Sequence, residues 1–357
     1  MKIVNSIAAR TISLAIKNYV NFNFWNPDPP AILWHVTHQC IFKCRHCTLH
    51  LQENNLSGEE LLKLAEKIAL SKTPLIAITG GEPLVLPDIK EIIQILKASH
   101  KYISLNTNGF LLMEFADFLI DQKVDSVCIS LDSPDKETHN DLRGNSLSFD
   151  RVMEAIDYIL KNRKGGIPSV ELRYTITNEN YQHINEFYDV FSTKADKLSF
   201  QPVNDLEMIL IPADRSLLFD PSDLITKGKL EKAIDRLNRK DHRSLHSDII
   251  NFIYQNKKFR EKVLNHCIPK ISNYMLVLNN GDCFMCGNIY GNLLKQEIKE
   301  VWNSGNREAL MLQYTKKKVC DTPCLLNCNY YGNYFIGSSV KCYLRYFYTI
   351  KNFFKNP

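Results

Sequence analysis

"AILWHVTHQCIFKCRHC", residues 31–47, decides how the rest of the chain is read. Its first seven residues are apolar and rich in β-branched and aromatic side chains, which suits a strand. Directly after them come Cys40, Cys44 and Cys47, spaced C-x3-C-x2-C. Three thiolates on one loop can wrap a face of a small inorganic cluster. A structural zinc site closes a tetrahedron with four ligands and commonly uses C-x2-C pairs, so this loop fits zinc poorly, with His38, His46 or His50 as the only nearby fourth ligands. Held by three cysteines, a [4Fe-4S] cluster leaves one iron open to a small molecule.

Outward from that loop, residues 31–205 alternate short β-rich runs with amphipathic stretches, the pattern of βα units around a parallel sheet. The strands are expected at 31–37, 74–79, 101–107, 126–131, 170–176 and 197–203, with helices near 57–71, 87–99, 111–122, 148–163 and 181–194. Ser57 followed by Glu60 is a capping-box pair for the first helix. Six such units build either an open doubly wound sheet or a partial barrel, and periodicity does not choose. Either way the chemistry belongs at the carboxyl ends of the strands. The motifs obey this: the cysteine loop follows strand one, "GGEP" strand two, "NTNG" strand three and "SLDS" strand four.

The 357 residues bury a sizeable core, and 45% hydrophobic with 23% charged residues is an ordinary globular balance. The amino terminus has no compact apolar stretch with a small-residue cleavage site, and no apolar run reaches the roughly 18 residues of a bilayer span. The expectation is a cytoplasmic protein, whose eleven cysteines serve metal or catalysis rather than disulfides. Cys128 stands alone and is expected to pack as a small apolar residue. A net charge of +5 is too small to argue for nucleic acid. No acidic residue precedes Asp28 or follows Asp321, and both ends mix basic with apolar or aromatic residues. The ordinary reading docks these tails on the protein's own core, and the alternative is contact with a membrane surface or a lipid-like substrate.

The cysteine loop and "TGGEP" (Thr79–Pro83), in this order on these strands, resemble the radical S-adenosylmethionine (radical SAM) superfamily. The resemblance covers about 31–205 and implies a partial (β/α)6 TIM-like barrel. It implies a [4Fe-4S] cluster on Cys40, Cys44 and Cys47 that binds S-adenosyl-L-methionine at its open iron. That cofactor is then cleaved reductively to a 5′-deoxyadenosyl radical that takes hydrogen from substrate. An amine and a carboxylate must be received there. Gly80 and Gly81 let backbone carbonyls approach closely, Glu82 accepts from the amine or braces the loop, and Pro83 stiffens the turn. Ser130 and Asp132 resemble the family's polar contacts to the cofactor's carboxylate and ribose. Arg143 resembles an arginine that pairs with that carboxylate, the alternative being a surface ion pair. Asn106, Asn108, Arg173, Thr175 and Gln201 to Val203 are expected around the same pocket.

The carboxyl-terminal stretch resembles the SPASM or twitch extension of radical SAM enzymes, in which Cys267, Gly281, Cys286, Gly291, Asn292 and Trp302 match the family order. With Cys283, Cys320, Cys324, Cys328 and Cys342, these cysteines imply one or two auxiliary [4Fe-4S] clusters, though the late C-x3-C-x3-C group departs from the usual spacing and a zinc ribbon remains the alternative. The expected division is an amphipathic segment (1–30), a radical SAM core (31–205), a helical linker (206–265) and a cysteine-rich SPASM-like domain (266–357). The resemblance implies an electron donor such as flavodoxin or ferredoxin. It also implies peptide or protein maturation or natural-product modification, with a sugar, tetrapyrrole or lipid-like substrate as the rival and a noncatalytic iron-sulfur or zinc protein as the competing class.

Overall fold

The computed structural model describes residues 28–29, 31–51, 56–203, 214–220, 222–240, 274–285 and 287–316. Six strands, β1 (Ala31–Thr37), β2 (Leu75–Gly80), β3 (Tyr102–Thr107), β4 (Ser126–Ser130), β5 (Ser169–Ile176) and β6 (Lys197–Pro202), run parallel and lie side by side in chain order. Each matches its expected range to within one residue at either end. The unbroken order settles the architecture. A doubly wound sheet reverses its strand order at a switch point, and no reversal occurs among these six. The fold is the open, barrel-like α/β core that the motifs implied.

Helices α1 (Gly58–Leu70), α2 (Ile89–Ala98), α3 (Leu112–Asp121), α4 (Lys136–Arg143), α5 (Ser148–Asn162) and α6 (Ile184–Phe191) complete the crossovers. Their apolar stripes meet Ile32, Trp34, Ile76, Ile103, Val127 and Leu172, all fully buried, in one core. Side chains alternate along a strand, so the opposite face carries Thr79, Asn106, Ser130, Arg173 and Gln201, all half-buried. Burying one large apolar side chain contributes about 1.5–3 kcal/mol, and a one-residue slip would exchange the two faces. Register is thereby fixed, and with it the polar lumen.

Ser57 caps α1 as expected: its Oγ accepts from Glu60 N at 3.3 Å, and its own N–H donates to Glu60 Oε2 at 3.0 Å. Helix α4 was not among the expected elements. Its sequence, KETHNDLR, carries no apolar stripe. It is held instead by Asp135, whose carboxylate accepts from Thr138 N at 2.8 Å, and by Gly144, which takes the left-handed conformation at φ 65°.

Strand β7 (Met275–Val277) pairs parallel with β1, and β8 (Asp282–Met285) and β9 (Asn288–Asn292) follow antiparallel, making one nine-stranded sheet. Three strands of the stretch expected as a SPASM-like domain thus extend the sheet of the core. An open barrel leaves the outer edge of β1 with unpaired backbone groups, and the fully apolar MLV stretch satisfies them. Lys67 of α1 fastens this extension by donating to the carbonyls of Leu293 at 2.8 Å and Gln296 at 3.0 Å. Helices α7 (Leu224–Lys240), α8 (Ile298–Trp302) and α9 (Gly305–Lys316) complete the described residues. Most of the amphipathic segment (1–30), much of the linker, and Cys267, Cys286, Cys320, Cys324, Cys328 and Cys342 lie outside them. Among the described residues no helix is long and apolar enough to cross a membrane.

Candidate functional site

The loop after β1 and the turn after β2 are bound backbone to backbone. Gly81 N donates to Thr37 O at 2.7 Å, and Glu82 N donates to Gln39 O at 2.8 Å. Gly80 sits at φ 127°, and a Cβ there would lie 2.1 Å from Thr37 O. At Gly81 a Cβ would lie 2.1 Å from Gln39 O and 2.6 Å from His38 O. Both glycines are thus demanded by the protein's own cysteine loop, before any ligand is considered. Glu82 is fully buried. Its Oε1 accepts from Leu84 N at 3.1 Å and Thr107 Oγ1 at 2.8 Å, and its Oε2 accepts from Asn108 N at 2.7 Å. The carboxylate therefore braces the ends of β2 and β3. Burial raises its pKa to about 7 against the pull of those three donors. Pro83 is buried and opens the 3-10 turn Pro83–Val85.

Each of the three sulfurs has a donor directed at it. Cys40 Sγ accepts from Phe42 N at 3.4 Å and Asn108 Nδ2 at 3.9 Å, Cys47 Sγ from Leu49 N at 3.4 Å, and Cys44 Sγ from Arg143 Nη1 at 4.0 Å. All three are free thiols. Burial raises their pKa values, that of Cys44 to about 12, so deprotonation needs a metal to drive it. Donors at sulfur stabilise a metal-bound thiolate, and the loop fits that state. Among the described residues no three His, Cys, Asp or Glu side chains converge as a single metal ion would require. A zinc ion gathers its ligands around one point, whereas an iron-sulfur cluster takes one thiolate on each of several irons. Three thiolates on one loop are the ligand type and number that a cluster with one open iron takes.

Behind Cys44 lies a buried polar group built around Asp132, which is fully buried. Its Oδ1 accepts from Thr175 N at 2.9 Å, and its backbone carbonyl accepts from Asn180 Nδ2 at 2.8 Å. Oδ2 lies 2.7 Å from Arg143 Nε, an ion pair without the alignment of a hydrogen bond. Burial pushes the Asp132 pKa up, but the Arg143 charge together with His46, His139 and the Thr175 amide outweighs it, and the net displacement is downward. The backbone N–H of Asp132 donates to His139 Nδ1 at 3.1 Å, so that nitrogen is an acceptor and the ring is neutral, its Nε2 proton directed at Ser148 Oγ 2.8 Å away.

Cys40, Cys44, Cys47, Gly80, Gly81, Glu82, Asn108, Asp132 and Arg143 thus form one continuous contact network. Arg143 is buried rather than on the surface. Asn106 belongs to a second patch on the lumen wall, where its Oδ1 accepts from Arg173 Nη1 at 3.4 Å and Arg173 pairs with Glu171. Ser130 ends β4 on the same face, Thr175 is buried beside Asp132, and Gln201 is half-buried on β6. Cys128 is buried within β4, and Cys283 is packed in the hydrophobic core of the hairpin. In the extension, Asn292 Nδ2 donates to Asp282 Oδ1 at 2.8 Å, a Cβ on Gly291 would meet Val301 Cγ1 at 2.6 Å, and the Arg307 guanidinium stacks 3.5 Å from the Trp302 ring.

Arg45, which stands between two of the cysteines, is not among the expected site residues. Its guanidinium binds both oxygens of Glu179 at 2.8 Å, Asp141 Oδ2 at 2.5 Å and Asp214 Oδ2 at 2.5 Å. The Arg was visible in "CRHC", but its partners lie 96 to 169 residues away.

Residues 34–191 match the model of the Radical SAM superfamily. Those residues are thus similar to a radical SAM domain. Among curated proteins, a probable GTP 3′,8-cyclase of Sulfolobus acidocaldarius is 36% identical over 167 residues, covering 44% of this chain and 50% of its own. An AdoMet-dependent heme synthase of Methanosarcina barkeri is 28% identical over 167 residues, 45% of this chain and 47% of that one. This chain therefore spans about half the length of the curated relatives it matches. Among solved structures, Streptococcus suis SuiB bound to precursor peptide SuiA superposes with TM-score 0.61 at 18% identity, over 88% of this chain and 76% of that one. The structure of anSMEcpe with bound AdoMet and Cp18Cys peptide gives 0.59 at 20%, over 91% and 99%. These likenesses show the fold. The matched residues run from within β1 to the end of α6, and they include the cysteine loop and the GGEP turn clamped together as described above.

Proposed function

We propose that the chain is a radical SAM enzyme that modifies a peptide or protein side chain. Cys40, Cys44 and Cys47 hold a [4Fe-4S] cluster in this reading, and Gly80 to Pro83 with Asn108 shape the adjoining place for S-adenosylmethionine. When bound together, those two groups supply an electron and a hydrogen-abstracting centre for unactivated C–H bonds. The chain's own residues do the rest. The Gly80–Gly81 backbone and Glu82 hold the cysteine loop at the rim, donors at each sulfur favour the thiolate state, and the half-buried lumen wall of β3 to β6 orients substrate away from bulk water. The observation that carries this is the two-bond clamp between the cysteine loop and the GGEP turn.

The peptide reading draws support from the reach of the structural likeness, which runs past the core to 88–91% of the chain in the two peptide-bound structures. The sequence relatives act on other molecules by their names, yet they match over less than half of this chain. Cys267, Cys283, Cys286, Cys320, Cys324, Cys328 and Cys342 remain the proposed ligands of one or two auxiliary clusters, with a flavodoxin or ferredoxin as donor. Anaerobic reconstitution followed by iron, sulfide and 5′-deoxyadenosine measurements tests the enzyme. About four irons per chain would deny auxiliary clusters, and no deoxyadenosine under dithionite would deny the activity. A mass change in a peptide encoded beside the gene supports the substrate class, and turnover confined to a small heterocycle contradicts it.

A further inference from the structure

We propose that Arg143, fixed by Asp132, acts on the Cys44 sulfur and raises the reduction potential of the cluster. The inference rests on the cluster proposed at Cys40, Cys44 and Cys47. Its basis is the way the end of α4 lies along the cysteine loop. Arg45 N donates to Leu142 O at 3.0 Å, Arg143 Nη1 reaches Cys44 Sγ at 4.0 Å, and a Cβ on Gly144 would lie 2.7 Å from Lys43 O. Three successive residues of one segment thus meet three successive residues of the other, and the middle pair is guanidinium against sulfur.

The charge is held there from behind. Asp132 Oδ2 lies 2.7 Å from Arg143 Nε, and its other oxygen is occupied by Thr175 N, so the carboxylate cannot swing and the guanidinium is fixed with it. The side chains of Arg143 and Asp132 are 8% and 1% exposed, so water screens little of either field. The carboxyl end of a helix also turns partial negative charge toward its surroundings, and the last residue of α4 is the cation that offsets it. Reduction adds one negative charge to the cluster. A positive group at a ligating sulfur stabilises that form, and an anion behind it opposes it more weakly because it is farther away.

The experiment is a potentiometric EPR titration of the reconstituted protein without S-adenosylmethionine, at matched iron per chain. Expected midpoint potentials rank Arg143→Gln lowest, then the double variant Arg143→Gln with Asp132→Asn, then wild type with Arg143→Lys beside it, and Asp132→Asn highest. Opposite shifts from two neighbours are something a merely structural role would not produce. The double variant leaves no lone buried charge, so it keeps the test alive if a single variant fails to hold iron, and its potential must still lie below wild type. Equal potentials throughout, or shifts of the same sign from Arg143→Gln and Asp132→Asn, overturn the inference. So does an Arg143→Gln protein of unchanged potential whose spectrum merely loses its response to added cofactor. A wild-type protein that binds no cluster would overturn the proposed function itself, a distinguishable result.

Discussion

The amide of Glu82 donates to the carbonyl of Gln39 at 2.8 Å, which ties the second β-strand's turn to the residue immediately before Cys40. Gly81 makes that approach possible, because any side chain there would begin 2.1 Å from the same carbonyl. Gly81→Ala is expected to displace the cysteine loop, with a stability cost of about 1–3 kcal/mol and most of the reconstituted iron lost. Gly228→Ala is the control. It lies inside α7 with nothing within 4 Å of its Cβ, and it should stabilise by about 0.5–1 kcal/mol while leaving iron unchanged. Iron assays and thermal melts of the two variants check both statements.

Glu82→Gln removes an acceptor from a set of three donors and turns an amide toward one of them. Leaving one buried donor unsatisfied costs about 1–3 kcal/mol. Urea unfolding of the cluster-free protein should show that loss, and an unchanged midpoint would mean that Glu82 does not brace the strand ends.

His139 gives the fold a defined pH response. Burial holds its pKa near 3, against 6.5 in the unfolded chain, with the neighbouring Arg143 charge acting in the same direction. The unfolded state takes up a proton below pH 6.5 while the folded state does not, so stability is complete above that pH and falls as the pH drops. Between pH 6.5 and 5 the loss from this group is about 2 kcal/mol. Glu82 acts in the opposite sense, since its folded pKa of about 7 exceeds the usual 4.5 and costs stability as pH rises through that window. The His139 contribution is therefore read as a difference from His139→Asn, which keeps an acceptor for Asp132 N and should show a shallower slope. Parallel slopes in the two proteins would contradict it.

Arg45 joins the cysteine loop to α4, to the turn after β5 and to the segment before α7 through Asp141, Glu179 and Asp214. These carboxylates are one-third to two-thirds exposed, so solvent and salt screen each pair and the network holds the loop only modestly. Arg45→Gln should speed iron loss to a chelator several-fold, and raised salt should shrink the difference between variant and wild type. Equal loss rates at low salt would show that the network does not hold the loop.

Local chemistry made the core legible. Strand runs such as PLIAIT and SVCISL must alternate between a helix-covered face and a lumen, and the cysteine and GGEP motifs fall on one rim as soon as all strands are parallel. What stayed hidden depended on partners far away in sequence. Helix α4 buries His139, Leu142 and Arg143 rather than an apolar stripe, so its periodicity was silent. Arg45 needed three acids from three segments. The glycines were legible as a close approach, but not that the backbone of Thr37 and Gln39 comes so near them. MLV at 275–277 is too short to reveal which strand edge it would cover.

The most direct measurement is the EPR spectrum of the dithionite-reduced, reconstituted protein before and after S-adenosylmethionine is added, in wild type and in Cys44→Ser. A [4Fe-4S] signal that shifts on addition in wild type and is lost in the variant is the expected result. A wild-type signal that ignores the addition, or one that survives unchanged in Cys44→Ser, would contradict the assignment of these three cysteines to a cluster with an open iron.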